Sequence, residues 1–258
     1  MPAALPSARL RQRLREGARL VGTFLKMPAL ETVDIAASAG FDMVVVDGEH
    51  AQLDEGEVRL LVRHAAALGL PALVRIPAVD AGLINRLLEA GAAGVQLSTL
   101  RTRAQRDALV SATRYAPAGT RSVSLAHPQA DYGATPLAAY LDLHKEGPLL
   151  VGQVETAATD EPLAEILRGL DVAFIGTTDL SVDLGHAGQL DDARVRARMA
   201  EIAEAARAAG VALGVWTPSV EALTGLAPRP QYALVASDMQ LLRSGATGLL
   251  AAARRALA

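Results

Sequence analysis

Residues 44–51 read VVVDGEHA. Three consecutive valines suit a strand buried on both faces, as in a parallel sheet covered by helices, yet Asp47, Glu49 and His50 follow within six positions. An ion left inside such a core costs on the order of several kcal/mol. The stretch is coherent only if the buried part of the strand stops where the ionisable groups begin, so that its C-terminal end opens onto solvent.

Short apolar runs of the same kind recur along the chain: 20–25 LVGTFL, 43–46 MVVV, 72–76 ALVRI, 93–97 AGVQL, 149–154 LLVGQV, 172–175 VAFI, 211–215 VALGV and 232–236 YALVA. Between them lie stretches with helical periodicity, among them 54–68, 81–90 and 193–209, with glycine at or near several of their ends. Eight strand and helix alternations in 258 residues predict an α/β fold, a (β/α)8 TIM barrel, in preference to a doubly wound sheet. No linker or domain boundary interrupts the pattern, so residues 1–258 read as a single barrel domain. Segment 7–16 reads as an additional N-terminal helix capping the barrel floor. The longest irregular stretch, 115–135, is rich in Pro and Gly and is expected to form a loop near the barrel mouth.

Composition narrows the function. A net charge of −3 and only 3% aromatic residues offer neither a basic footprint nor stacking platforms, so no nucleic-acid partner is expected. No run of 18 apolar residues is present, so no membrane span is expected. The opening MPAALPSARLRQRLREG turns charged where a signal peptide needs an apolar core, which makes cytoplasmic residence the expectation. Without cysteine, any metal must be held by oxygen or imidazole.

In a barrel of this kind chemistry collects at the C-terminal strand ends and the loops beyond them. Those positions hold Lys26, Asp47 with Glu49 and His50, Arg75, Ser98 with Thr99, Glu155, Asp179, Trp216 with Thr217, and Ser237 with Asp238. Glu155 and Asp179 follow neighbouring strands, and two carboxylates brought together would repel unless one took a proton or a hard divalent cation joined them. The same two acids would also suit helix N-termini. A carboxylate at Asp47 could fix the tautomer of His50 and raise its basicity, as a general base needs, and Arg75 could donate to a developing oxyanion. Alternatively His50 is a turn residue and Arg75 answers Glu49 in an ion pair. Lys26 could form an imine or be a solvated surface residue, and Trp216 could be a substrate wall or core. His64 reads as structural, nothing places His127 or His186, and SGATG at 244–248 follows no strand directly and makes a poor phosphate cradle.

With these residues in place the sequence resembles the HpcH/HpaI aldolase family of class II pyruvate aldolases. The resemblance is carried by GFDMVVVDGEHA at 40–51, LVRIP at 73–77, LLEAGAAGV at 87–95, ATRYAPAGTRSVS at 112–124, GQVET at 152–156 and FIGTTDLSVDLGHAG at 174–188. It implies a divalent ion (Mg²⁺, Mn²⁺ or Co²⁺) held by Glu155 and Asp179 and chelated by pyruvate or its enolate. It implies also His50, partnered by Asp47, as base on the C4 hydroxyl, and Arg75 stabilising the enolate as a 4-hydroxy-2-oxo acid, such as a 2-keto-3-deoxy sugar acid, splits into pyruvate and an aldehyde. Gln153 matches a position supporting that site, with Gly176, Thr177, Thr178 and Trp216 bordering the pyruvate pocket. Family members commonly form hexamers, trimers of dimers that exchange their last helix, and the apolar end LLAAARRALA would suit this. The chain departs from the family where relatives read Gly-Pro-Ala-Asp-Leu or Gly-Pro-Asn-Asp-Leu and this sequence has GTTDL, where Val-Pro-Met-Val becomes QLSTL at 96–100, and where Arg-Gly-x-Gly becomes RSVS at 121–124. Competing readings are an imine aldolase at Lys26, a related enolate-forming decarboxylase or CoA-thioester lyase, and a non-catalytic barrel that binds a metal and a keto acid.

Overall fold

Eight parallel strands, β1 Leu20–Leu25, β2 Met43–Asp47, β3 Ala72–Ile76, β4 Gly94–Leu97, β5 Leu149–Val154, β6 Val172–Ile175, β7 Ala212–Thr217 and β8 Tyr232–Ser237, pair in chain order and close β8 onto β1. The computed structural model describes residues 5–226 and 228–258; positions 1–4 of the opening segment lie outside the described residues. The helices are α1 Pro6–Arg15, α2 Leu30–Ala39, α3 Glu55–Ala67, α4 Ala81–Ala90, α5 Arg103–Thr113, α6 Leu137–Leu143, α7 Leu163–Leu167, α8 Thr177–Asp183, α9 Ala193–Ala209, α10 Val220–Thr224 and α11 Asp238–Leu257. Local chemistry sets several boundaries. Asp54 and Glu57 form a reciprocal cap that starts α3, Thr102 and Gln105 do the same for α5, and α4 ends on Gly91 in the left-handed region, where a side chain would be strained.

Strand alternation sorts the core into two shells. Outward residues such as Val44, Val46, Val74, Ile76, Val95 and Ile175 pack under the helices, while Phe24, Met43, Val45, Leu73, Val151, Phe174, Tyr232 and Leu234 fill the barrel interior. Leu10 and Leu14 of α1 join the interior set, so the N-terminal helix closes the floor as expected. Burying each of those leucines contributes roughly 1.5–3 kcal/mol. Arg11 fixes the helix in place, with Nε 2.6 Å from Asp171 Oδ1 and Nη2 donating to the Pro148 carbonyl at 2.7 Å.

The segment 115–135 lies elsewhere than the sequence reading puts it. It joins α5 to β5, a connection that runs away from the mouth. Arg121 Nε donates to Asn85 Oδ1 on the flank of α4 at 2.9 Å, and Gln129 packs against Gly91 beside the floor. Its Pro and Gly content marks irregular backbone correctly but carries no information about which end of the barrel receives it. No helix among the described residues is long and apolar enough to cross a membrane.

Candidate active site

The inward alternation of each strand, followed one step past the apolar layers, delivers the polar site. Met43, Val45 and Asp47 share the interior face of β2, Leu73 and Arg75 that of β3, Val151 and Gln153 that of β5, and Asp47 stands in register with Arg75. Asp47 is fully buried, and Arg75 grips it bidentately, Nε to Oδ1 at 2.9 Å and Nη2 to Oδ2 at 2.6 Å. Lys26 Nζ lies 2.9 Å from the same Oδ2. The amides of Glu49 and His50 donate to Oδ1, each at 3.1 Å. Burial alone would raise the Asp47 pKa; the hydrogen bonds and charge of Arg75, with Lys26 and the His50 amide, outweigh it and hold the carboxyl well below the usual carboxylate range.

This arrangement corrects one expected partnership. Asp47 meets His50 at its backbone and not at its ring, because two cations and two amides already occupy its oxygens. The exposed imidazole sits at the rim with Nε2 3.7 Å from Glu49 Oε2, beyond hydrogen-bond reach. Glu49 itself accepts from Ser98 Oγ at 2.6 Å and lies 3.4 Å from Arg75 Nε. Lys26 is no solvated surface residue. It lines the mouth, and Asp238 at the start of α11 accepts the Lys26 and Met27 amides at 2.9 and 3.0 Å.

A cavity of about 410 Å³ opens at this end, and its wall brings together Lys26, His50, Arg75, Gln153, Gly176, Thr177, Thr178, Asp179 and Trp216. Phe24 forms part of the same wall, with its ring centroid 4.5 Å from the Arg75 guanidinium carbon. Arg75 Nη1 has no hydrogen bond among the described residues and is free to donate to a bound molecule. Trp216 is fixed by Nε1 donating to the Ala236 carbonyl at 3.1 Å. Asp47 and Glu155 do not line the cavity but lie buried beside it. His64 pairs with Asp34 at 2.7 Å, His186 lies 3.3 Å from Asp192, and His127 Nε2 donates to the Ser124 carbonyl of the floor loop at 2.8 Å, so none of the three joins the site.

Glu155, like Asp47, is held at both oxygens. Its Oε1 accepts from the Thr99 amide at 2.8 Å and the Thr99 hydroxyl at 2.7 Å, and its Oε2 accepts from Gln153 Nε2, whose own Oε1 takes Gln96 Nε2 at 2.7 Å. Gly176 leaves the space beside it, since a Cβ there would fall 2.7 Å from Glu155 Cβ. Asp179 stands exposed in the first turn of α8, so the helix-terminus reading holds for its position, whereas Glu155 follows β5 outside any helix. Among the described residues no group of three or more His, Cys, Asp or Glu converges. A cation here would therefore rest on two carboxylates with water and substrate completing its shell, an arrangement of hard oxygen donors that fits a small divalent ion. Gln96 and Thr99 received no role from the sequence. The inward alternation of β4 would have found Gln96; its strand end places Thr99 at the mouth, but the hold of Thr99 on Glu155 comes from a backbone at φ 46°, uncommon for a β-branched residue.

The chain matches the family model described as HpcH/HpaI aldolase/citrate lyase over residues 20–243. It is 35% identical to the hydroxypyruvate/pyruvate aldolase of Agrobacterium fabrum over 84% of this chain and 81% of that one. It is 33% identical to the 4-hydroxy-2-oxovalerate aldolase of Rhodococcus jostii over 95% and 96%. The crystal structure of an HpcH/HpaI aldolase from Desulfitobacterium hafniense superposes with a TM-score of 0.88 at 29% identity, covering 98% of this chain and 97% of that one. Barrel and relatives together define an enzyme, a lyase of the aldolase type. The chain belongs to the HpcH/HpaI aldolase/citrate lyase family.

Proposed function

We propose that this enzyme is a divalent-metal-dependent aldolase that reversibly cleaves a 4-hydroxy-2-oxo acid to pyruvate, or a close 2-oxo acid, and an aldehyde. The observation that carries the reading is Arg75, locked by Asp47 yet keeping one guanidinium nitrogen free toward the cavity that Asp179 and His50 also line. Glu155 and Asp179 would hold the cation, which when bound withdraws charge from the oxygens of a 2-oxo acid.

The protein's own groups then have separable tasks. Arg75 donates from Nη1 to the keto oxygen as that oxygen gains charge, and its fixed geometry makes the donation stronger in the transition state than in the ground state. His50, exposed at the rim, takes the proton from the C4 hydroxyl while the C3–C4 bond breaks and the electron pair moves toward the keto carbonyl. Asp47 holds Arg75 in place without itself exchanging a proton, and Phe24, Phe174 and Trp216 shield the reacting carbons from water. Thr177 donates to the Trp216 carbonyl at 3.3 Å, while Thr178 lines the cavity, where its hydroxyl could meet an extra oxygen on the donor or acceptor.

Pyruvate release from a panel of 4-hydroxy-2-oxo acids should vanish on chelation and return with Mg²⁺, Mn²⁺ or Co²⁺; turnover that persists in chelator would rule the metal reading out. Borohydride with pyruvate should leave Lys26 unmodified, because its amine is engaged with Asp47 Oδ2 at 2.9 Å. The exposed apolar shaft of α11 supports, in addition, assembly into the hexamers of helix-exchanging dimers that the family resemblance implies.

A further inference from the structure

Away from the mouth, the floor loop encloses a second cavity of about 30 Å³, lined by Ser7, Gly91, Arg121, Gln129, His144 and Gly147. Arg121 is only 8% exposed. Its Nε donates to Asn85 and its guanidinium carbon stacks 4.7 Å from the Tyr115 ring centroid. Its Nη2 is buried without a partner, and among the described residues no carboxylate oxygen lies within 4.0 Å of it. The nearest acid along α4, Glu89, accepts instead from Asn85 Nδ2 at 3.2 Å. His144 Nε2, on the same cavity wall, is also buried and unpartnered. Burial and then the Arg121 charge push the His144 pKa down to about 4, so near neutrality the imidazole is uncharged.

A buried guanidinium with a free donor and no counter-ion is expensive, and arginine has no acceptor with which to balance it. We infer that this cavity is an anion site taking one monatomic anion of the chloride class, held by Arg121 Nη2 with His144 Nε2 and the Gln129 amide beside it. The size admits a single water-sized occupant, which excludes phosphate, sulfate and carboxylic acids. Water could accept from Arg121 Nη2 and His144 Nε2 as well, but only an anion also neutralises the guanidinium, which has no carboxylate partner among the described residues. Such an anion would tie the floor loop to α4 and α6 and neutralise Arg121, independently of the chemistry at the mouth.

Crystals of the full chain grown without halide and soaked in sodium bromide test this directly. An anomalous peak in contact with Arg121 Nη2 is expected. In parallel, Tm should be higher in chloride than in gluconate at equal ionic strength by about 3 °C, the order expected for one bound ligand in a chain of this size, and Arg121→Met should abolish the difference. If Arg121→Met does not fold, the soak of the unaltered chain still decides. A bromide-free cavity holding only water, a carboxylate of a second copy seated on Arg121, or a peak without any chloride effect on Tm, marking an adventitious ion only, would each overturn the proposal.

Discussion

In the proposed mechanism the pair Arg75 and Asp47 serves the reaction rather than stability. A buried ion pair contributes little net stability against a well-packed apolar alternative, so its value lies in aiming the guanidinium. Because the Asp47 pKa is depressed in the folded chain, the stability of its ionised form is fully present above the unfolded value near 3.9 and is lost only as pH falls through the lower native value. Between pH 5 and 9 Asp47 therefore stays charged, and an acid limb in the pH–rate profile would come from a group other than Asp47. Arg75→Lys keeps a cation but cannot span both Asp47 oxygens and still donate to substrate; kcat should fall about 10²–10³-fold in steady-state pyruvate release. Thr99 invites a second test. Its hydroxyl and amide both orient Glu155, so Thr99→Val, which removes only the hydroxyl, should weaken the apparent Mn²⁺ affinity about tenfold while leaving the fold intact by circular dichroism. Unchanged Mn²⁺ affinity would detach Glu155 from metal binding.

At the scale of strands and loops, the barrel was legible because eight apolar runs end within two residues of the eight observed strands, β1, β3, β5 and β6 without any shift. The candidate site was legible for the same reason: parity along β2, β3 and β5 carries Asp47, Arg75 and Gln153 into the interior as it carries Val45, Leu73 and Val151. What sequence could not convey was competition for oxygens. Proximity in the chain pairs Asp47 with His50, but Arg75 and Lys26, distant in sequence, reach the carboxylate first with fixed charges. The loop 115–135 failed on direction, since turn-forming composition is the same at either end of a barrel. Its floor location has a consequence for pH. His144, packed against the Tyr140 ring at 4.3 Å and near Arg121 and His127, must stay neutral in the folded chain. Its folded pKa of about 4 lies below the unfolded value near 6.5, so the unfolded state binds the extra proton and stability drains away as pH falls through that window. Urea midpoints measured from pH 7 to pH 4 should fall, and His144→Gln should flatten the decline; an equal slope in the variant would assign the loss elsewhere.

The whole molecule ends in a helix that its own barrel does not accommodate. Beyond Asp238, every residue of α11 is exposed, including Leu241, Leu242, Leu249 and Leu250. Leu242, Ala246, Leu249 and Ala253 fall at intervals of four, three and four, which sets an apolar stripe along a rod roughly 30 Å long. A rod so exposed gains little from propensity alone, and Val21 of β1 is left 39% exposed on the barrel wall. The first turn nevertheless belongs to this chain's site, where Asp238 caps the end of β1 and Met239 and Gln240 line the mouth. Covering the stripe with a second copy would thus couple assembly to the integrity of the active site. Sedimentation of the unaltered chain should give a species well above the 26.8 kDa monomer, and the double substitution Leu242→Glu, Leu249→Glu should dissociate it and lower Tm, with turnover per subunit falling as Lys26 loses its anchor. A 26.8 kDa species with full activity would show instead that the helix stands alone and that the mouth needs no partner.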